Sequence, residues 1–204
     1  MYTLFGHKGS GSAAVESALE IAGQPYRLVD AASWESSSDV EQLARVNPLK
    51  QIPALVLPDG TVLTESAAIL IHLGLAHPDS GLLPAEASRR AVAMRGLVYI
   101  AANCYCAISI LDYPERWLVD PSEPAKDNLK AGTRQRLNHH WDLFANTFAL
   151  SGAQPGGLEL LAAVVSKWSG ARKHLQQSRP ALAAVLAAVE AHDRVRPVFA
   201  RHWP

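Results

Sequence analysis

The sequence feature that most constrains the fold is a proline placed directly before a short apolar run, with a tight turn behind it. Pro53 precedes the apolar run 54–57, and the turn signal Pro58-Asp59-Gly60 then leads into the run 61–63. Strand, Asp-Gly turn and strand predict a β-hairpin. Because proline has no N–H to donate to a sheet ladder, Pro53 marks either an edge or the entry into the first of these strands.

Around this hairpin, the first 76 residues alternate between strand and helix patterns. Strand patterns cover 2–5 and 26–29, and helix patterns begin near residues 12, 39 and 65. In the first of these helices, apolar residues recur at i, i+4 and i+8, as they do on one face of an amphipathic helix. The predicted order is therefore β-α-β-α-β-β-α.

Beyond residue 77 the chain changes character. Residues 78–84 combine proline, serine and glycine, which is typical of a linker between domains. No strand pattern follows the linker. Pro180 suits the first position of a helix, with Ser178 as a cap just upstream. The sequence predicts an α/β domain over 1–77 and an all-helical domain over 85–204, with helices at about 86–112, 125–150, 157–169 and 180–193.

The composition restricts the compartments and partners that fit the chain. Lys plus Arg and Asp plus Glu number 19 each, so no net charge favours binding to nucleic acid or an anionic membrane. We find no signal-peptide pattern and no run approaching the ~20 apolar residues of a membrane helix. Cys104 and Cys106 lie two apart on a predicted helix, which disfavours a mutual disulfide, and too few ligands accompany them for a metal site. We therefore expect a cytoplasmic protein without a metal.

The hairpin motif extends in both directions and carries a family resemblance. Residues 47–55 read NPLKQIPAL, and residues 63–69 read LTESAAI. This pattern resembles the glutathione-site signature of the soluble glutathione transferases, in a bacterial-like member. The resemblance implies a thioredoxin-like N-terminal domain that holds the tripeptide glutathione, followed by a C-terminal helical bundle. It also implies a cis Ile52–Pro53 bond, whose outward-turned Ile52 backbone can pair with the cysteinyl unit of glutathione like one more strand.

Within the motif, Glu65 and Ser66 suit the opposite charges at the γ-glutamyl end of glutathione. Ser66, with its N–H at a helix N-terminus, can receive the carboxylate, and Glu65 can receive the ammonium. The alternative is a simple capping pair, because both residue types are common in a first helical turn. The resemblance implies that Gln51 helps at the same end and that Trp34 and Lys50 are candidates for the glycyl end. Trp34 could equally be a loop aromatic that packs on its own domain.

Conjugation requires glutathione as a thiolate, whereas a free thiol has a pKa of about 8.5. A hydroxyl donor or a helix N-terminus lowers the pKa of a nearby thiol. Family members supply Tyr, Ser or Cys at the start of the first helix, and the matching segment here holds Ser10 and Ser12 without a cysteine. Ser10 is the first candidate for the thiolate donor and Ser12 the second. The alternative is that Ser12 caps the helix and the helix dipole activates the thiol.

The electrophilic substrate is expected between the domains, against the first long helix of the second domain. Four side chains on that helix are candidates for a hydrophobic-substrate pocket: Tyr99, Asn103, Tyr105 and Cys106. They span both faces of an α-helix, so they cannot all line one cleft. The identity of the electrophile does not follow from the sequence.

The resemblance implies a detoxifying transferase that conjugates glutathione, as co-substrate, to small hydrophobic electrophiles. Another glutathione-dependent reaction on the same site, such as isomerisation, dehalogenation or peroxide reduction, is an alternative. A non-catalytic binding module of the same fold is a further alternative. A thioredoxin-type oxidoreductase is disfavoured, because the chain has no Cys-x-x-Cys. The resemblance also implies a homodimer.

Overall fold

The computed structural model of the chain describes residues 1–35 and 38–204. Its N-terminal part is built on a sheet with the strand order β2-β1-β3-β4, in which β1 pairs with β2 in parallel and the other pairs are antiparallel. The strands are β1 (Tyr2–Gly6), β2 (Tyr26–Asp30), β3 (Ala54–Val56) and β4 (Val62–Thr64). The helices between and after them are α1 (Ser12–Ile21), α2 (Val40–Val46) and α3 (Ser66–Ala76). The predicted β-α-β-α-β-β-α order is confirmed.

The hairpin forms as the turn chemistry predicts. Leu55 of β3 stands opposite Leu63 of β4. Between the strands, the Asp59 carboxylate accepts a hydrogen bond from the Thr61 N–H at 2.9 Å, and Gly60 has a φ of 89°, a conformation that glycine adopts without strain. Because β3 lies inside the sheet, Pro53 marks the entry into a central strand and not an edge. The Ile52–Pro53 bond is cis.

The C-terminal part consists of helices and the loops that connect them, and none of its residues lies in a strand, as predicted. Its first helix runs from α4 (Ala87–Tyr99) through a π-helical turn (Ile100–Tyr105) into α5 (Cys106–Asp112). The other helices are α6 (Glu123–Thr147), α7 (Gly157–Val165), α8 (Ala171–Ser178), α9 (Pro180–Ala191) and α10 (Arg196–His202). Short 3₁₀ turns, Pro78–Ser80 and Pro114–Trp117, connect elements. The fold class is thus a thioredoxin-like domain followed by a helical domain, whereas the exact domain boundaries stay a prediction.

Two helices were not expected from the sequence. The eight residues of α8 are mostly polar and bury only Ala171 and Leu175, which is too few for a visible periodicity. α10 has seven residues and begins beside a proline. Pro180 does begin α9, but Ser178 ends α8 and donates its hydroxyl to the His174 carbonyl at 2.9 Å. The expectation that Ser178 caps α9 is therefore wrong.

The helix α1 is buried on two sides. It packs on α3 within the N-terminal part and on α7 and α10 of the helical part. Every residue from Ser12 to Leu19 is buried, and one apolar core runs through both parts of the protein. At about 25 cal/mol for each Å² of apolar surface removed from water, this shared core holds the two parts together.

A buried carboxylate joins α1 to the C-terminal helix α10. Glu16 is 2% exposed, accepts a hydrogen bond from Arg201 at 2.5 Å and lies 2.8 Å from His202 Nε2. The Tyr26 hydroxyl lies 3.1 Å from the Glu16 carboxylate and 2.7 Å from that of Glu20. Burial by itself raises the pKa of Glu16, but the hydrogen bonds and charges of His202 and Arg201 outweigh burial, so the pKa lies below its ordinary value.

The helical run Ala87–Asp112 is both long and apolar. Within the described residues, it is the one helix long and apolar enough to cross a membrane by length and composition, with a mean hydropathy of 1.5 in its most apolar window. The expectation that no run approaches this threshold is therefore wrong. The signal is weak, since core helices of soluble proteins pass the same test, and 39% of the window is buried inside the protein.

We expect Glu16→Gln to lower the free energy of unfolding by about 3 kcal/mol at neutral pH, because it leaves His202 and Arg201 without their anionic partner. The pKa of Glu16 is lowered in the folded state, so the wild-type advantage is present above the ordinary pKa and is lost as the pH falls through the lowered value. Urea denaturation at neutral and acidic pH measures both effects. The exposed Glu41→Gln is the control, expected within about 0.5 kcal/mol of wild type. Equal stability of Glu16→Gln and Glu41→Gln at neutral pH would contradict the prediction.

Candidate functional site

A cleft of about 650 Å³ lies where the N-terminal part meets the α4–α5 helix. Its N-terminal wall consists of the loop before α1, the segment before β3 and the first residues of α3. Its helical wall consists of α5, the residues on either side of it, and Trp168. All seven residues predicted to hold glutathione line this cleft: Trp34, Lys50, Gln51, Ile52, Pro53, Glu65 and Ser66.

The loop before β3 is held by a buried asparagine. Asn47 is 4% exposed, and its side-chain amide donates to the Gln51 carbonyl at 2.8 Å and accepts from the Leu49 N–H at 3.2 Å. Inside this loop, Lys50 has a φ of 53°, in the left-handed region that residues with a Cβ rarely adopt. The side chain of Asn47 therefore fixes the backbone that leads to Ile52. In the sequence, Asn47 stood out only as the first residue of the motif over residues 47–55, with no role of its own.

The start of α3 presents unpaired backbone donors to the cleft. Glu65 precedes the helix with φ 63° and ψ 107°, and no side chain of residues 1–35 or 38–204 caps the first turn. The first N–H with a partner inside the helix is that of Ile69, which donates to the Glu65 carbonyl at 3.0 Å. The N–H groups of the first turn, beginning with Ser66, are therefore available to an anion. A non-glycine residue held at positive φ costs of order 1–3 kcal/mol, and such strain clusters at binding sites.

The two serines of the first loop are bonded to each other. Ser10 lines the cleft, and its hydroxyl lies 2.7 Å from the His7 carbonyl and 2.8 Å from the Ser12 hydroxyl. Ser12 has no exposed surface and does not line the cleft. Ser12 is the first residue of α1 and Gly11 takes the N-cap position, so the alternative that Ser12 caps the helix is wrong as well.

The helical wall contains two of the four residues that were candidates for the hydrophobic-substrate pocket, in line with the expectation that they cannot all line one cleft. Tyr105 and Cys106 line the cleft, whereas Tyr99 and Asn103 do not. The Tyr99 hydroxyl donates to the His140 carbonyl at 3.1 Å, and Asn103 lines a separate groove of about 700 Å³ against α6. The expectation is therefore wrong for Tyr99 and Asn103. The π-helical turn changes which residues share a face, because a π turn holds more residues than an α turn.

The far end of the cleft mixes aromatic, polar and charged side chains. Its members, which the sequence analysis did not single out, are Ser109, Asp112, Tyr113, Arg116 and Trp117. The Arg116 guanidinium stacks 3.9 Å from the Tyr113 ring centroid, within the range of a cation–π contact. Burial raises the pKa of Asp112, and Arg134 opposes this effect. Residues 105, 109, 112 and 116 follow helical spacing, so a search for one face around Tyr105 would have found part of this set.

No group of three or more His, Cys, Asp or Glu side chains is arranged to hold a metal ion within 1–35 and 38–204. Both cysteines are free thiols, with Cys104 buried and Cys106 exposed. Burial raises the pKa of Cys104 to about 12. The cleft therefore offers hydroxyl groups, carboxylates, basic side chains and backbone N–H groups as its polar contacts.

The chain is similar to one known protein family and to individual proteins of that family. Residues 1–74 match the family model of the glutathione S-transferase N-terminal domain. An uncharacterized GST-like protein, YncG of Escherichia coli (strain K12), is 35% identical over 130 residues, 63% of this chain and 63% of that protein. Glutathione S-transferase GstA of Escherichia coli O157:H7 is 31% identical over 138 residues, 67% and 66% of the two chains. The matches thus span slightly less than two thirds of either relative's length.

A shorter match and two solved structures add to this picture. A probable maleylacetoacetate isomerase of Caenorhabditis elegans is 37% identical over 86 residues, 42% of this chain and 38% of that protein. BphK, a bacterial GST solved as a ternary complex, has a TM-score of 0.78 and 26% identity, with 98% of each chain covered. A glutathione transferase homolog from Sulfitobacter, solved with bound glutathione, has a TM-score of 0.79, 22% identity and coverage of 97% and 96%. At that identity the second likeness shows the fold alone.

We expect Asn47→Ala to lower the free energy of unfolding by about 1–3 kcal/mol, because it removes the two hydrogen bonds that the buried Asn47 side chain makes with the loop backbone at Leu49 and Gln51. Chemical denaturation measures this change. Asn128→Ala, on the exposed face of α6, is the matched control and is expected within about 0.5 kcal/mol of wild type. A loss no larger than that of the control would show that the loop before β3 does not depend on Asn47.

Proposed function

The chain belongs to the soluble glutathione transferase family, and from that premise we propose that it conjugates the thiolate of glutathione to small hydrophobic electrophiles. One observation carries the proposal. The seven residues expected to hold the γ-glutamyl, cysteinyl and glycyl units line a single cleft together with Ser10, at the start of α1. A cleft of about 650 Å³ falls within the size range of small-molecule sites.

The polar groups of the N-terminal wall suit the two ends of glutathione. The γ-glutamyl carboxylate would lie on the free N–H groups at the start of α3 and on the Ser66 hydroxyl, where the helix dipole favours an anion. The γ-glutamyl ammonium would face the Glu65 carboxylate, and Gln51 would support the same end. The glycyl carboxylate would lie near Lys50 and Trp34. In this arrangement the Ile52 backbone pairs with the cysteinyl unit.

The cysteinyl sulfur would then face the N-terminus of α1. The thiol loses its proton to solvent, and the helix dipole together with a hydroxyl donor stabilises the thiolate that remains. The sulfur uses a lone pair to form a bond to the electrophilic carbon, and the leaving group departs with the electrons of the bond that breaks. Ile108 and Trp117 supply apolar surface where an electrophile would lie.

Glutathione-dependent isomerisation is a second candidate, favoured by the far end of the cleft. Arg116, Asp112 and Ser109 would suit a substrate that carries a carboxylate or carbonyl oxygen better than a purely apolar one. The 37% identity to a probable maleylacetoacetate isomerase also supports isomerisation. An assay with a cis-configured, carboxylate-bearing conjugated ketone distinguishes the two reactions. Isomerisation regenerates free glutathione, whereas conjugation consumes it.

The family also supports proposals on assembly and compartment. We propose a homodimer that acts in the cytoplasm, in detoxification, with glutathione and an electrophile as its small-molecule partners. Sedimentation velocity of the purified chain tests the dimer, since a single species at the monomer mass would contradict it.

We expect Ser66→Ala and Glu65→Gln each to weaken binding of glutathione about tenfold, because a charge-assisted hydrogen bond contributes about 1.5 kcal/mol or more. Retention on immobilised glutathione and calorimetric titration measure binding, and conjugation to a generic aromatic electrophile measures turnover. Ser88→Ala is the matched control, because Ser88 lies in the exposed first turn of α4, away from the cleft, and donates to Glu86.

These measurements separate the candidate functions. Retention and turnover by the wild-type protein, with weaker binding in both cleft variants and not in Ser88→Ala, would support the transferase. Retention without turnover of any electrophile would favour the non-catalytic binding module. No retention and no turnover would overturn the proposed function.

A further inference from the structure

The hydroxyl of Tyr105 reaches from the helical wall to the first turn of α1. A Cβ atom placed on Gly11 would lie 2.6 Å from the Tyr105 hydroxyl oxygen and 3.5 Å from Pro53 Cδ. The hydroxyl therefore occupies the space beside the helix N-terminus that a side chain at position 11 would fill. Gly11 has φ −60° and ψ −15°, which any residue adopts, so glycine here provides space and not a special backbone conformation.

The hydroxyl protons near this point are not equally available. A serine hydroxyl has one proton to donate. Ser10 lies within hydrogen-bond distance of the His7 carbonyl and of Ser12, so its proton already has an acceptor in the loop. The Tyr105 hydroxyl makes no hydrogen bond with any residue in the described parts of the chain and lines the cleft. Its proton is therefore free for a ligand.

The position of the Tyr105 ring is fixed by Trp168. The two rings meet edge to face with centroids 5.6 Å apart. The Trp168 indole N–H also donates to the Gly9 carbonyl at 3.2 Å, which ties the ring pair to the loop before α1. The hydroxyl and the helix N-terminus are thus held in one arrangement before any ligand binds, as an effective anion site requires.

We propose that Tyr105, from the helical part, donates the hydrogen bond that stabilises the glutathione thiolate, the role that the sequence analysis gave first to Ser10. This inference rests on the proposed function. The thiol proton leaves to solvent, and Tyr105 keeps its own proton while it donates to the sulfur. The residue is therefore a hydrogen-bond donor and not a general base.

The surroundings of Tyr105 keep its hydroxyl protonated. Burial, followed by the negative charges of Glu65 and Asp112, raises its pKa to about 12. The titratable and charged groups that line the same cleft are Lys50, Glu65, Cys106, Asp112, Tyr113 and Arg116. The negative charges of Glu65 and Asp112 also disfavour a nearby thiolate. Stabilisation of the sulfur anion therefore depends on a hydrogen-bond donor at close range.

Tyr105→Phe tests the proposal, because it removes only the hydroxyl and keeps the ring against Trp168. We expect the pKa of enzyme-bound glutathione to rise by about one to two pH units and kcat/KM at neutral pH to fall about 10- to 100-fold. The pH profile of kcat/KM and the ultraviolet absorbance of the bound thiolate measure these changes. Tyr99→Phe, a tyrosine of the same helical run whose hydroxyl lies outside the cleft, is the control. Retention on immobilised glutathione is expected to persist in both variants.

Gly11→Ala perturbs the same contact from the other side. In the wild-type background its Cβ would displace the Tyr105 hydroxyl, so we expect a comparable rise in the pKa of the bound thiol. In the Tyr105→Phe background the nearest ring atom would be Cζ, 3.6 Å away, an ordinary contact. The second substitution should therefore add little to the first, a non-additivity that a general loss of stability would not produce.

The outcomes are distinct. A rise in the pKa of the bound thiol in Tyr105→Phe and Gly11→Ala, absent from Tyr99→Phe and Ser10→Ala, supports Tyr105 as the donor. A wild-type thiol pKa in Tyr105→Phe, with the rise in Ser10→Ala instead, overturns the assignment and leaves the transferase proposal intact. A wild-type protein that neither binds glutathione nor turns over an electrophile overturns both. If Tyr105→Phe does not fold, Gly11→Ala with Tyr105 present gives the same test.

Discussion

The burial of α1 on two sides is the constraint on which the rest of the structure depends. A helix packed between a sheet and a helical domain cannot move relative to either, so its N-terminus becomes a fixed point in both. Glu16 reinforces this position, because its buried carboxylate reaches α10 through His202 and Arg201. The loop that leads into α1 is in turn held by Trp168. The precise placement of a helix N-terminus is what an anion site needs, and here it follows from packing between the two parts.

The cleft lies at the seam between the two parts, and each part supplies a different kind of group. The N-terminal wall supplies mainly backbone: the free N–H groups at the start of α3 and the segment before β3, held by Asn47 and passing through strained conformations at Lys50 and Glu65. The helical wall supplies side chains, with Tyr105 and Trp168 near α1 and the mixed set around Arg116 farther out. Under the proposed function, backbone groups suit the constant ligand glutathione, whereas side chains on a helix face can vary with the second substrate.

Much of the N-terminal part could be predicted from the sequence because its signals are local. The Asp59-Gly60 turn and the strand patterns predicted the hairpin and the order of elements, and the motif around Pro53 and Glu65 predicted which residues line one wall of the cleft. The helical part was harder. A prediction from periodicity assumes 3.6 residues per turn. The π-helical turn over Ile100–Tyr105 departs from that value in the segment that holds the candidate pocket residues. Tyr99 and Asn103 therefore seemed as probable as Tyr105.

The sequence by itself determined the fold class, the family and the group of residues that line the N-terminal wall of the cleft, since these depend on turn chemistry and on a contiguous motif. Only the tertiary structure decided which hydroxyl groups are free. Ser10 and Ser12 look available in the sequence, but they are two residues apart in a loop that folds back on itself, where they bond to each other and to His7. Tyr105 is 94 residues away from Gly11 along the chain, and no local pattern could place its hydroxyl there. Contacts of that separation come from packing of the whole core. The interaction that forms them is the burial of apolar surface, which is non-directional and produces no local sequence pattern that identifies the two partners.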